Sequence, residues 1–416
     1  MKYNINVLKQ VSFNKIYIYL ISLIIFLIPS NLFFKINYSS AYVNGLLVDY
    51  LIPKFYVSDI PILLLLLLWL IKVIKNKQKV ITEASNLFFP SILISLIIVR
   101  QIFVSYPLAS IWYLLQLIEI GFLGWFLTTH KKLLQKTLVH HAILITIWFQ
   151  SILAIWQFAL QKSFLNYSFL GETNLSNSIG LAKDMWWHTG RVLPYSTTAH
   201  PNILGGILAI FSLLLIAQQK RNKILTTITV LLAIVIIVIT QSISAGVTLF
   251  VGLILITKKQ INLKSLTIIG ALLFVITPIL INLTSKKLNQ FYSLTRRSYL
   301  QNASIDMFLN NPIAGVGLNQ FTSEVEKYSD TPEIVRFVQP VHHIGLLWLT
   351  ETGVLGILFI WSLRKKINIK KIILPLLILL PIAVLDHYLL TQQSGLLLAT
   401  FFITLEKNSV KVKEMG

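Results

Sequence analysis

The sequence predicts an all-α, polytopic integral membrane protein. Three observations carry that expectation. Of the 416 residues, 55% are hydrophobic and only 12% charged, about half the charged share usual in soluble domains. Leu/Ile-rich runs recur along the chain at close to the roughly 20 residues that a helix needs to cross a bilayer. Short connections rich in Lys and Arg fall between alternate runs, as the bias of basic residues toward the cytoplasmic face requires.

Taken in order, apolar segments fall at 16–36, 57–71, 86–104, 107–128, 139–160, 201–217, 224–241, 243–257, 265–283, 342–362, 371–389 and 391–405. That makes about 12 transmembrane helices in a single transmembrane domain, 1–416. Several hold fewer than 20 apolar residues, which implies interrupted or tightly packed spans. The run at 16–36 follows Lys2, Lys9 and Lys15, and Ser39-Ser40-Ala41 resembles a small-residue cleavage site. The run is long for a signal peptide, so a retained helix is expected.

With the N-terminus inside, the inner connections carry Lys72/Lys75/Lys77/Lys79, Lys131/Lys132/Lys136, Lys220/Arg221/Lys223, Lys258/Lys259/Lys264 and Arg364/Lys365/Lys366/Lys370/Lys371. Both termini are then cytoplasmic. The inner segments hold 24 Lys/Arg against Glu83, Glu406 and Glu414, which accounts for the entire formal charge of +21. In a soluble chain that charge would suggest nucleic acid; here it is a topology signal, and no nucleic-acid partner is expected. Cys is absent, which excludes disulfides and thiolate metal sites.

The same topology leaves two long exoplasmic loops, 161–200 and 284–341. The second predicts a short helix near 296–310, where Leu300, Ala303 and Met307 keep helical spacing and Asn310-Asn311-Pro312 ends it. Four clusters of chemistry-bearing residues lie on this side. Gly190-Arg191 precedes Pro194-Tyr195-Ser196-Thr197-Thr198-Ala199-His200-Pro201-Asn202 and Leu204-Gly205-Gly206. Arg296-Arg297 opens the loop helix. Pro312-Ile313-Ala314-Gly315-Val316-Gly317 follows it. Then come His342-His343, Leu346, Glu351 and Gly353.

Over about 185–360 this arrangement resembles the O-antigen ligase and Wzy-type polymerase superfamily. The resemblance rests on an arginine before His-Pro-Asn, a later loop arginine, Pro-x-x-Gly-x-Gly, and a loop histidine followed by Leu, Glu and Gly. It implies a GT-C-like, metal-independent, inverting glycosyltransferase with no cofactor. The implied donor is a glycan on undecaprenyl pyrophosphate. The implied acceptor is a glycan or glycolipid hydroxyl at the outer face of the plasma (inner) membrane. Carried over, Arg191 and Arg296 or Arg297 would bind the pyrophosphate. His342 would be the base, with His343 the alternative because asparagine is common there. The chemistry agrees. Pyrophosphate leaves well once neutralised by arginine's permanently charged fork, and histidine is a base suited to neutral pH.

One departure concerns the hairpin between the seventh and eighth helices. It reads Gln241-Ser242-Ile243-Ser244 where the family commonly has Ser-Arg, so one phosphate contact is either missing or supplied elsewhere, by Lys183, Arg336 or Arg100. No Asp-x-Asp metal motif is present.

Blander readings stand beside these. His342 could solvate a helix end, Arg296/Arg297 could be surface charges, and Arg191 could snorkel to headgroups. His200-Pro201-Asn202 reads as a helix start that supports the site, with Pro in the first turn and His or Asn capping it. Asp386-His387 could hold an arginine or assist the base. Glu351, nine residues from His342, lies about 2.5 turns away on the opposite face of a regular helix, so it is expected to orient a neighbouring helix. The alternative function is a transporter or flippase of a polar or lipid-linked substrate. The chain lacks the internal repeat that such proteins tend to show.

Overall fold

The structure, a computed structural model, describes residues 2–36, 39–75, 88–175, 180–218, 222–257, 262–287, 292–329, 331–335, 338–365 and 369–406. Several basic residues used for orientation (Lys77, Lys79, Lys220, Arg221, Lys258, Lys259, Lys366) lie outside these, as does Arg336.

A helix coincides with each of the twelve apolar segments: α1 (Lys2–Leu27), α2 (Asp59–Lys75), α3 (Phe88–Arg100), α4 (Pro107–Thr129), α5 (Thr137–Leu160), α6 (Pro201–Ala217), α7 (Lys223–Ile239), α8 (Ile243–Thr257) and α9 (Leu263–Lys287), then α11 (Ile344–Ser362), α12 (Ile369–Leu385) and α13 (Gln393–Glu406). Between α9 and α11 lies α10 (Tyr292–Asn310), four residues longer at its start than the spacing predicts. Among the described residues, Pro107–Thr129, Thr137–Leu160, Leu263–Ser285 and Ile344–Ser362 are long and apolar enough to cross a membrane. The remaining apolar stretches, Phe13–Leu27 of α1 among them, are shorter, and the protein is an integral membrane protein.

The core sits around α6. Every residue from Ile203 to Leu215 is buried, the mark of a helix enclosed on all sides. It packs against α8, α7, α13 and α5. Its first turn, which carries the His-Pro-Asn sequence, is therefore fixed in the middle of the loop-bearing end of the bundle.

Two helix boundaries differ from expectation. The segment 16–36 does not continue as a helix past Leu27, because Pro29 follows and Asn31 donates its N–H to Thr197 O (2.9 Å) instead of to the preceding turn. Residues beyond it form β1 (Phe33–Lys35), paired antiparallel with β4 (Lys54–Tyr56), and enclose a small hairpin of β2 (Tyr42–Val43) and β3 (Leu46–Leu47). The expected two long loops are thus joined at the same end by a third connection, 28–58. The segment 371–389 is likewise broken. Helix α12 stops at Leu385, and Asp386-His387 form a corner before a single turn at Tyr388–Thr391.

The glycine motifs have a structural explanation. Helix α11 is interrupted at Gly353 (φ 60°), and the 312–317 turn docks into the break. Val316 and Gly317 donate to the carbonyls of Thr350 and Glu351 (2.9 and 3.0 Å), while Val354 and Leu355 donate to those of Pro312 and Ile313 (2.8 and 3.0 Å). The side chain of Glu351 accepts from Phe321 N (3.3 Å), so it is spent on this turn and not on His342. A Cβ on Gly315 (φ +65°) would lie 2.4 Å from the Glu351 carbonyl carbon. Gly315→Ala should therefore cost upward of ~2 kcal/mol, since backbone strain and overpacking add. Gly180→Ala, at φ +76° with open space around it, should lose only the strain term. Thermal unfolding of the two variants checks the contrast.

Candidate active site

Four chain segments meet at the N-terminal end of α6. His200 is extended (φ −158°, ψ 146°) and caps α6, its Nδ1 accepting from Asn202 N (3.1 Å), with Pro201 in the first turn. That places the Asn202 amide to donate to Asp386 Oδ1 (3.1 Å), while Ser244, from the first turn of α8, donates to Asp386 Oδ2 (2.6 Å). Asp386 is buried and is thus pinned by α6 and α8 at the corner after α12. His342, just before α11, brings Nδ1 to 3.8 Å from Asp386 Oδ1. That is within ion-pair reach but too long for a hydrogen bond. Its Nε2 lies 3.4 Å from Gln339 Oε1. The His387 ring stands edge-on to His342 (centroids 4.9 Å), and Tyr50 of the 28–58 connection stands edge-on to His387 (5.7 Å). His387 Nδ1 is engaged by Thr391 Oγ1 (2.7 Å).

The arginines of α10 complete the cluster. The charge of Arg297 acts on Asp386, His342, His200 and His387, and that of Arg296 on His342 and Tyr50. Among the described residues Arg297 forms no ion pair within 4 Å, so its guanidinium remains available to an anion.

These neighbours set the protonation states. Burial pushes His342 below its ordinary value of 6.5; Asp386 opposes that shift, and Arg297 and Arg296 add to it. Burial alone would raise Asp386, yet His342, Arg297 and the Ser244 hydroxyl outweigh it and hold the carboxyl below the usual carboxylate range. At neutral pH the pair is a carboxylate facing a neutral imidazole. His200 is also lowered, first by the surrounding protein and then by His342 and Arg297 against Asp386. His200 is nonetheless exposed, so water screens part of that effect, and the shift favours a neutral imidazole.

His343 has a different place. It is buried, its Nδ1 accepts from Leu346 N (3.1 Å) as the cap of α11, and its Nε2 meets Phe274 O (3.0 Å). Both nitrogens are committed to holding α11 against α9. Arg191 is not brought into the cluster: its guanidinium lies over the Phe158 ring (5.7 Å) and Nη1 donates to Phe158 O (3.3 Å) at the end of α5. Arg100 is spent on the carbonyls of Phe103 (2.9 Å) and Gly315 (3.3 Å). Lys183 lies in the hairpin before α6.

Two members of the cluster escaped the sequence reading. Ser244 stands in the hairpin where an arginine was sought, and Ser242-x-Ser244 was the only signal available. Tyr50 belongs to the connection between the first two apolar segments, to which the sequence reading gave no role.

Residues 192–361 match the family model described as O-Antigen ligase. The match covers His200, Asn202, Arg296, Arg297, His342 and His343, and ends before Asp386. No curated protein matches the chain significantly. Over residues 192–361, then, the chain is similar to the O-antigen ligase family, and the resemblance drawn from its motifs is borne out there.

Proposed function

We propose that the protein transfers a glycan from undecaprenyl pyrophosphate to a hydroxyl of a glycan or glycolipid acceptor, at the exoplasmic face of the plasma membrane, through about 12 spans with both termini cytoplasmic. The observation that carries this reading is the grouping of a neutral imidazole and a pinned carboxylate at the start of α6, under the influence of two arginines of α10. An attacking hydroxyl needs a base, and a departing pyrophosphate needs positive charge. The cluster offers both within one site.

In this mechanism His342 takes the proton of the acceptor hydroxyl as its oxygen attacks the anomeric carbon of the donor. The C–O bond to pyrophosphate breaks from the opposite side, so the configuration inverts. Undecaprenyl pyrophosphate departs against Arg297 and Arg296. Asp386 orients His342 and stabilises the imidazolium that forms. Asn202 and Ser244 keep that carboxylate in place, and His200 fixes the start of α6 from which Asn202 projects. His387 packs against His342. Arg191 lies beyond the pyrophosphate position, at the end of α5, where it meets headgroups or the outer part of the substrate.

Reconstituted protein given an undecaprenyl-pyrophosphate oligosaccharide and candidate acceptors tests the reading. Transfer by wild type and its loss in His342 and Arg297 variants is expected; transfer that survives these changes contradicts it. The pH profile is a second test. Because the folded-state pKa of His342 lies below 6.5, the base stays deprotonated from pH 8 down past 6.5. Below its pKa, kcat/KM should fall about tenfold per pH unit. An acid limb centred above 6.5 would contradict the assignment.

A further inference from the structure

The connection before α6 contains a built feature that the mechanism does not use. Lys183 and Val192 form an antiparallel bridge, supported by Asp184 N–H to Arg191 O (2.8 Å) and Leu193 N–H to Ala182 O (2.9 Å). The tip of this hairpin is wound around the buried Asp184 carboxylate. Oδ1 accepts from Trp186 N (3.0 Å), Trp187 N (2.9 Å) and the Gln241 amide, and Oδ2 accepts from Thr189 N (2.8 Å) and Thr189 Oγ1 (2.6 Å). Gln241 returns a contact, its Oε1 accepting from Met185 N (2.9 Å). His188 (φ 52°) and Gly190 (φ 69°) take the left-handed turns that close the tip.

What this frame presents is indole surface. Trp186 and Trp187 are 49% and 45% exposed, with their rings nearly perpendicular at 6.4 Å. Trp187 also stands edge-on to Phe158 (6.1 Å), the ring on which Arg191 lies. Lys183, His188 and Arg191, on the same hairpin, are exposed. The frame is tied to the reaction centre, because Gln241 is three residues before Ser244, whose hydroxyl holds Asp386. The position of the indoles relative to His342 is thereby fixed through one short stretch of chain.

We propose that Trp186 and Trp187 form a stacking platform for a sugar ring of the donor or acceptor glycan, beside the His342–Arg297 centre. The proposal rests on the transferase reading above. The C–H-bearing face of a pyranose is apolar and covers an indole, while its hydroxyls take hydrogen bonds from donors of the hairpin such as Arg191 and Lys183. The lipid interface is the other natural partner for exposed tryptophan. Insertion into lipid needs apolar side chains but no fixed backbone. A clamp of five hydrogen bonds on one carboxylate fixes ring geometry, which stacking on a sugar requires and lipid does not.

The experiment compares wild type with Trp186→Ala/Trp187→Ala in liposomes. It measures KM for an undecaprenyl-pyrophosphate oligosaccharide, KM for the acceptor, and inhibition by sugar-free undecaprenyl pyrophosphate. One KM should rise roughly 5- to 10-fold, with kcat and the inhibition constant little changed, and the substrate whose KM rises is the one that stacks. Asp184→Asn, which keeps the indoles but loses the clamp, should reproduce the rise. Unchanged KM values overturn the proposal. So does a parallel rise of donor KM and of the sugar-free inhibition constant, which would mark a lipid anchor. A titration of tryptophan emission with the free glycan of whichever substrate shows the raised KM gives a readout that needs no transfer. A saturable change in wild type that is lost in the alanine pair supports the platform, and its absence from wild type overturns it. Failure of the transferase reading shows separately, as transfer that survives the His342 and Arg297 substitutions.

Discussion

Replacing His342 with alanine should lower kcat by about 10²–10⁴, the usual worth of a positioned general base, while leaving donor KM within a few-fold of wild type. The split follows from the geometry. His342 faces Asp386 at 3.8 Å and His387 at 4.9 Å, and neither it nor they supply the cation that binds the anion. His343→Ala should behave in the opposite sense. That residue caps α11 and bonds Phe274 O, so its loss should cost on the order of 1 kcal/mol of stability with a smaller effect on turnover. Steady-state kinetics and thermal unfolding of the two variants separate chemistry from support. A kcat for His342→Ala near wild type, or a larger kinetic loss for His343→Ala, would exchange the roles assigned to the two histidines.

Arg297→Ala should lower kcat/KM for the donor by about 10²–10³, the cost of deleting one preorganised group that stabilises developing charge. Arg297→Lys should recover only part of this. An ammonium restores the charge but not the two-pronged donor that matches phosphate oxygens. A second readout is product inhibition: inorganic pyrophosphate should bind the alanine variant more weakly. Arg296 is expected to contribute less, because it is partly buried and shares its surroundings with the neutral Tyr50 phenol. Equal kinetics for Arg297→Ala and wild type would remove the pyrophosphate from this site.

How much of this was legible beforehand depends on which force set each feature. Hydropathy located every apolar helix, because burial and bilayer both select for Leu and Ile over long runs. It failed at 28–36, where apolar Phe33 and Phe34 continue the pattern of the helix but serve a strand paired with 54–56. It failed again at 386–389, where the chain turns because Ser244 and Asn202 claim the Asp386 carboxylate. Neither partner is near in sequence, so no local pattern could announce the corner. The motif histidines and arginines could be selected by type and order, yet their division of labour could not. His342 and His343 are adjacent, and only the φ of −157° at His343 and its hydrogen bonds to Leu346 N and Phe274 O mark it as a cap. Arg191 shows the converse. Its place in the motif suggested the anion site, while the hairpin around Asp184 carries it to Phe158.

The most direct measurement is the anomeric configuration of the product formed by reconstituted protein from an undecaprenyl-pyrophosphate oligosaccharide of known stereochemistry, read by NMR alongside the released lipid. A single displacement assisted by His342 predicts one undecaprenyl pyrophosphate released per glycan transferred, with the anomeric centre inverted. A retained configuration, or no transfer from this donor, would contradict the account.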